Sequence, residues 1–178
     1  MPDSELPKIV FVGPRAAGKS SLAKLLAGRL GCDFHDTDAL LAASVGCSAA
    51  DFLATKGEVA FRAAEQLVVR QALADPEVRV LALVGGAVLD QDARDLLVSP
   101  VYFVVFLSAP MAVLVERQID GSFRPPLTKQ SLANEVETLF QIREPLYKAV
   151  SDLELDTNSL DVHRCQDAIL VSMGVDGG

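Results

Sequence analysis

The chain reads as an α/β protein: a parallel sheet of five strands with helices on both faces, in one domain spanning residues 1–178. Three observations predict this. Apolar runs at 9–12, at 78–84 with Arg79 as the one break, and at 101–107 have the composition of strands buried on both sides. Helical patterns separate them, which is the signature of a parallel sheet with crossover helices. The first run also passes directly into Gly13-Pro14-Arg15-Ala16-Ala17-Gly18-Lys19-Ser20, which matches G-x-x-x-x-G-K-[ST] and leads at once into a helix.

The loop at 13–20 carries chemistry. Glycines let backbone N–H groups close around phosphate oxygens without side chains in the way. Lys19 adds a charge for the β and γ phosphates, and the Ser20 hydroxyl is a hard oxygen ligand for Mg²⁺. The helix that starts there points its positive end at the same anion. A nucleoside triphosphate is the expected ligand.

Leu22, Leu25, Leu26 and Leu30 keep helical spacing over 21–30, and Gly31 can end that helix. A short extended segment at 32–35 runs into Asp36-Thr37-Asp38. Carboxylates just beyond a strand's carboxyl end sit where open α/β sheets bind ligands, although the same residues also cap helices. Residues 38–75 read as a helical excursion. Ser48-Ala49-Ala50-Asp51 opens one helix as a capping box. A longer helix over 58–73 has Phe61, Ala64, Leu67 and Val68 on one side. Arg62 and Glu65 are three apart on that helix and could form a solvated pair.

The strand at 78–84 ends in Gly85-Gly86, either a tight turn or a place where a ligand nears the backbone. Helices are expected at 91–98 and 110–118, on either side of the strand at 101–107. The segment 119–133 breaks periodicity, holds Arg124-Pro125-Pro126 and suits a lid. A helix over 131–143 stopping near Pro145, a strand at 153–155, a helix at 162–173 and a frayed tail from 174 complete the chain.

Half of the residues are hydrophobic, so disorder is not expected, yet no apolar run reaches the ~18 residues of a membrane span. The polar N-terminus lacks a signal core. Cys32, Cys47 and Cys165 have no metal-ligand spacing and read as reduced thiols in a cytoplasm. A net charge of −8 argues against a nucleic-acid surface but not against an anionic substrate held by a few arginines. A monomer is expected. His35, His163, Cys165 and Arg15 are read as packed or solvated residues.

Taken together, residues 13–20, Asp36-Thr37-Asp38, Phe61-Arg62-x-x-Glu65, Gly85-Gly86, Arg124-Pro125 and Arg143-x-Pro145-Leu146-Tyr147 resemble the shikimate kinase family in order and spacing, from about residue 8 to 158. The resemblance implies the fold of nucleoside-monophosphate kinases, with a helical substrate-binding region at about 37–65 and a lid at about 119–133. It implies ATP-dependent phosphorylation of the shikimate 3-hydroxyl in aromatic amino-acid biosynthesis. On that resemblance, Gly13, Ala16, Ala17, Gly18, Lys19, Ser20, Ser21 and Arg117 contact ATP, and Ser20 and Asp36 hold Mg²⁺. Asp38 binds the acceptor hydroxyl, Arg62 and Arg143 grip the carboxylate, Gly85 and Gly86 offer N–H groups, and Lys19, Asp38 and Arg124 are catalytic. The alternatives are a kinase of another polyol acid such as gluconate, or a ligand sensor with weak turnover. The family usually has three glycines where this chain has Val84-Gly85-Gly86; ordinary extended backbone at Val84, prolonging the strand, is the expectation. Ser159 and Leu160 replace a usual basic residue near the adenine.

Overall fold

The computed structural model of the chain describes residues 6–120 and 132–175. β1 (Lys8–Val12) lies at the centre of the sheet, between β3 (Val80–Ala82) and β4 (Tyr102–Ser108). β2 (Phe34–Asp36) flanks β3 and β5 (Leu153–Asp156) flanks β4, giving the order β2-β3-β1-β4-β5 with every pairing parallel. Phe11 stands in register with Ala82 on one side and Val105 on the other. The chain leaves β1 in one direction for β2 and β3, then crosses to β4. The crevice outside β1's carboxyl end is therefore the switch point at which such sheets bind ligands.

Alternation along the strands divides the core. Ile9, Phe11, Val80, Ala82, Val105 and Leu107 face α1 (Lys19–Leu30) and α7 (Val162–Ser172). Val10, Val12, Leu81, Val104 and Phe106 face α3 (Ala49–Ala74), α4 (Gln91–Leu97) and α6 (Leu132–Val150). A third cluster of Leu41, Phe61 and Val68 joins α2 (Thr37–Val45) to α3. α5 is Met111–Asp120. Among the described residues no single helix is long and apolar enough to cross a membrane. α2 and α3 together reach the length but meet at 80°.

Ser48 caps α3 as its capping box predicts, accepting from the Asp51 N–H at 3.1 Å. Gly57 (φ 81, ψ 169) breaks α3 where the second helical pattern begins, so the turns before and after it take different directions.

Three expectations fail on tertiary grounds. α6 does not stop near Pro145 but runs to Val150. Proline there leaves the Gln141 carbonyl without its helical donor, at roughly 3 kcal/mol. Gln141 and Pro145 are both exposed, however, and the continuation buries Tyr147 and Val150. Two such side chains contribute about 1.5–3 kcal/mol each, enough to offset the break. β3 is shorter than 78–84, and Val84 does not prolong it. The Val84 N–H bonds the Thr37 hydroxyl at 2.8 Å instead of a neighbouring strand. Its backbone is unstrained all the same, because Ala16 is the only non-glycine with positive φ among the described residues. Gly174 and Val175 are not frayed: Gly174 (φ 72) donates to Val171 O and Val175 to Leu170 O, closing α7 with a Schellman motif.

Candidate active site

The carboxyl ends of β1, β2 and β3 open into a cavity of about 600 Å³. Gly13 (φ 142) starts the loop after β1, and a Cβ there would collide with the Leu107 carbonyl oxygen of β4. Only glycine allows the loop to turn so close to the next strand. Ala16 (φ 65) and Gly18 (φ 93) also take left-handed backbone and curl the loop over the start of α1. Gly18 is the N-cap and has no side chain to satisfy the first-turn N–H groups, which suits that helix end to an anion.

The Lys19 ammonium donates to the carbonyls of Gly13 at 2.9 Å and Pro14 at 2.8 Å. Burial pushes its pKa down to about 8, the charges of Asp38 and Asp36 pull it partly back, and Arg143 adds to the lowering. Asp36 combines both readings of its motif. One carboxylate oxygen caps α2, accepting from the Asp38 N–H at 2.8 Å, while the other accepts the Ser20 hydroxyl. A hydroxyl and a carboxylate therefore converge beside the loop. These hard oxygen donors fit Mg²⁺, which takes few protein ligands and keeps water or phosphate in its other positions. Among the described residues no cluster of three or more acidic, cysteine or histidine side chains offers a fuller metal cage.

Across the cavity, Arg62 Nη1 bonds both Glu65 carboxylate oxygens, at 3.2 and 3.3 Å. This is not the solvated pair that spacing alone suggests, since Glu65 is only 5% exposed. Burial raises the Glu65 pKa above the usual carboxylate range, against the pull of Arg62. The glycine pair makes room for these side chains. A Cβ on Gly86 would stand 3.0 Å from Glu65 Oε1 and 3.4 Å from Arg62 Nη1; one on Gly85 would stand 3.5 Å from Arg143 Nη1. Arg143 Nε is buried without a hydrogen-bond partner among the described residues, a donor suited to an anionic ligand.

At the opposite end Arg117 donates to Thr157 Oγ1 and O, both at 3.0 Å, and reaches the Ala16 carbonyl at 3.5 Å. Thr157 is itself anchored, donating from its hydroxyl to Ser108 O at 3.1 Å. The loop after β5 thus fixes an arginine delivered by α5.

The cavity wall brings together Ala16, Gly18, Lys19, Ser20, Ser21, Asp36, Asp38, Arg62, Gly85, Gly86, Arg117 and Arg143 from the sequence expectations. Gly13 and Ala17 do not line it: Gly13 packs on β4, and Ala17 is fully buried. Arg124 and most of the 119–133 segment lie outside the described residues. Sequence reasoning missed the apolar wall of Ala49, Ala50, Leu53, Ala54 and Phe61, assembled by the Gly57 break. It also missed the buried state of Glu65, whose one available signal was its place in Phe61-Arg62-x-x-Glu65.

A family model for shikimate kinase matches residues 15–173. The chain belongs to the shikimate kinase family. It is 41% identical over 152 residues to a shikimate kinase of Mycobacterium marinum, covering 85% of this chain and 81% of that one. It is 36% identical over 169 residues to one of Rhodopirellula baltica, covering 93% and 87%. Among solved structures, the Acinetobacter baumannii shikimate kinase in complex with shikimate superposes with a TM-score of 0.85 at 30% identity, covering 94% of this chain and 92% of that one. A Sinorhizobium meliloti gluconokinase shares the fold alone, at 19% identity and a TM-score of 0.55. Apart from Arg124-Pro125, which lies outside the described residues, each of the motifs dispersed in sequence thus contributes residues to one cavity.

Proposed function

We propose that the chain transfers the γ-phosphoryl group of ATP to the 3-hydroxyl of shikimate, giving shikimate 3-phosphate and ADP. The observation that carries this reading is the convergence of Lys19, Ser20, Asp36, Asp38, Arg62 and Arg143 on one cavity in a member of the shikimate kinase family. The triphosphate lies along the 13–20 loop, its β and γ oxygens taken by Lys19 and by the N–H groups at the start of α1. Ser20 and Asp36 would hold Mg²⁺, which would supply charge neutralisation for the phosphates. Arg117 lies on the adenine side.

Arg62 and Arg143 receive the shikimate carboxylate, a task that suits a planar guanidinium fork. Glu65 keeps Arg62 in place, and Gly85 and Gly86 offer backbone donors. Asp38 orients the 3-hydroxyl and accepts its proton as the oxygen attacks the γ-phosphorus and the bond to the bridging oxygen of ADP breaks. Arg124 is assigned as the second cation on the transferring phosphate by sequence resemblance. The reading needs side chains from one chain only and takes that chain as a single-domain monomer. The reading places the chain in the cytoplasm, where Cys32, Cys47 and Cys165 stay reduced.

Steady-state ADP release with MgATP tests the reading, with shikimate, gluconate or no acceptor present. Turnover with shikimate alone is expected. Turnover with gluconate but not shikimate would overturn the acceptor assignment, and tight shikimate binding without turnover would mark a sensor. Asp38→Asn should lower kcat by about 10²–10⁴-fold with an unchanged unfolding midpoint. Near-normal turnover by that variant would remove Asp38 from the chemistry.

A further inference from the structure

The Arg143-x-Pro145-Leu146-Tyr147 motif contributes only its arginine to the reading above. Tyr147 follows Arg143 by four residues, so both lie on one face of α6. Its ring is 1% exposed and stacks on Phe106 of β4, with centroids 5.1 Å apart at 26°. The hydroxyl on that immobilised ring donates to the Gly85 carbonyl at 2.6 Å. Arg143 Nη1 and the Tyr147 oxygen both stand 3.5 Å from the point a Gly85 Cβ would occupy. Guanidinium, phenol and glycine turn therefore meet at one place.

The Gly85 carbonyl and the Gly86 N–H belong to the same planar trans peptide, so fixing the oxygen fixes the opposite direction of the N–H. We propose that Tyr147 is a positioning residue for the phosphoryl acceptor: its hydroxyl aims the Gly86 N–H and keeps that donor aligned with the Arg143 guanidinium. The inference rests on the assignment of Gly86 and Arg143 to the shikimate site. Burial pushes the phenol up to about 12, against the pull of the Arg143 charge, so it remains a donor at neutral pH. A tyrosine that served packing alone would also bond a nearby carbonyl, but its loss would then affect stability only.

Tyr147→Phe removes the oxygen and keeps the stacked ring. Its KM for shikimate should rise about tenfold, the worth of one well-placed hydrogen bond, while its KM for ATP stays within about twofold. In an Arg143→Lys background the same substitution should cost much less, because the partner it aligns has already been lost. A wild-type shikimate KM, an equal rise in both KM values, or failure of the variant to fold would each overturn the inference. If Y147F is too unstable to assay warm, calorimetric shikimate binding at low temperature replaces kinetics, and an unchanged Kd is equally fatal. Wild type and R143K separate the two levels. If wild type does not use shikimate, or R143K does not weaken it, the functional reading fails and takes this inference with it. If R143K weakens shikimate and Y147F does not, only the role of Tyr147 falls.

Discussion

The two ends of β1 each hold a lysine that donates to backbone carbonyls, and burial lowers the pKa of both. At the amino end, Lys8 Nζ bonds the oxygens of Ala72, Leu73 and Asp75 at 3.2, 2.6 and 2.6 Å. Those carbonyls lie at the C-terminus of α3, where a helix leaves acceptors unsatisfied and its dipole is negative. Three donors meet three acceptors, so the site is structurally complete. At the carboxyl end Lys19 finds two carbonyls, of Gly13 and Pro14, and borders a cavity whose nearby carboxylates partly sustain its charge. Residue type and acceptor chemistry are nearly the same, although desolvation bears harder on Lys19. The difference is that Lys8 closes a helix end, while Lys19 is held ready where an anion can replace its carbonyls. A buried cation signals function when its surroundings leave room for a better partner.

Exchanging each lysine for methionine gives the sharpest test of that contrast. Lys19→Met should lower kcat by roughly 10²–10³-fold in ADP-release assays, as loss of a positioned transition-state cation does. Its thermal midpoint should be unchanged or higher, because a costly buried charge is gone. A midpoint that drops as far as that of the Lys8 variant would erase the distinction. Lys8→Met should lose about 1–2 kcal/mol in denaturant unfolding, because Ala72 O loses the lysine donor while the Tyr102 hydroxyl still serves Leu73 O and the Val78 N–H still serves Asp75 O, with kcat and both KM values within about twofold of wild type. Impaired ATP binding in that variant would show that the amino end of β1 is not merely structural.

The third test is titration. A lysine with a pKa of about 8 in the free protein is charged below that pH and must take up a proton to meet a triphosphate above it. ATP affinity measured by calorimetry should be flat below about pH 8, then fall up to about tenfold per pH unit. The ligand-free fold should gain stability as pH rises from about 8 towards the ordinary lysine value of 10.5, since the unfolded lysine still binds the proton that the folded one has released. K19M should lack both effects. Retention of the affinity slope by K19M would assign the titration to another group.

Local sequence was sufficient wherever the determinants lie within a few residues of each other. The turn after β1 is legible in Gly13 and Gly18 because backbone stereochemistry makes glycine the natural occupant of such φ values. The strands are legible in their apolar runs, and the capping box at Ser48 in its own side chain. Tertiary structure decided what depends on neighbours remote in sequence. Pro145 fails to end α6 because Tyr147 and Val150 find the core. Val84 leaves the strand ladder because Thr37, 47 residues earlier, takes its N–H. Glu65 is buried at a place where Gly86, 21 residues later, leaves room for its carboxylate. Spacing along a chain specifies which residues share an element and a face, whereas desolvation and partner choice follow from the packing of elements distant in sequence. The motifs could therefore name the chemistry of this site, while its charge states and hydrogen bonds arose only in the folded chain.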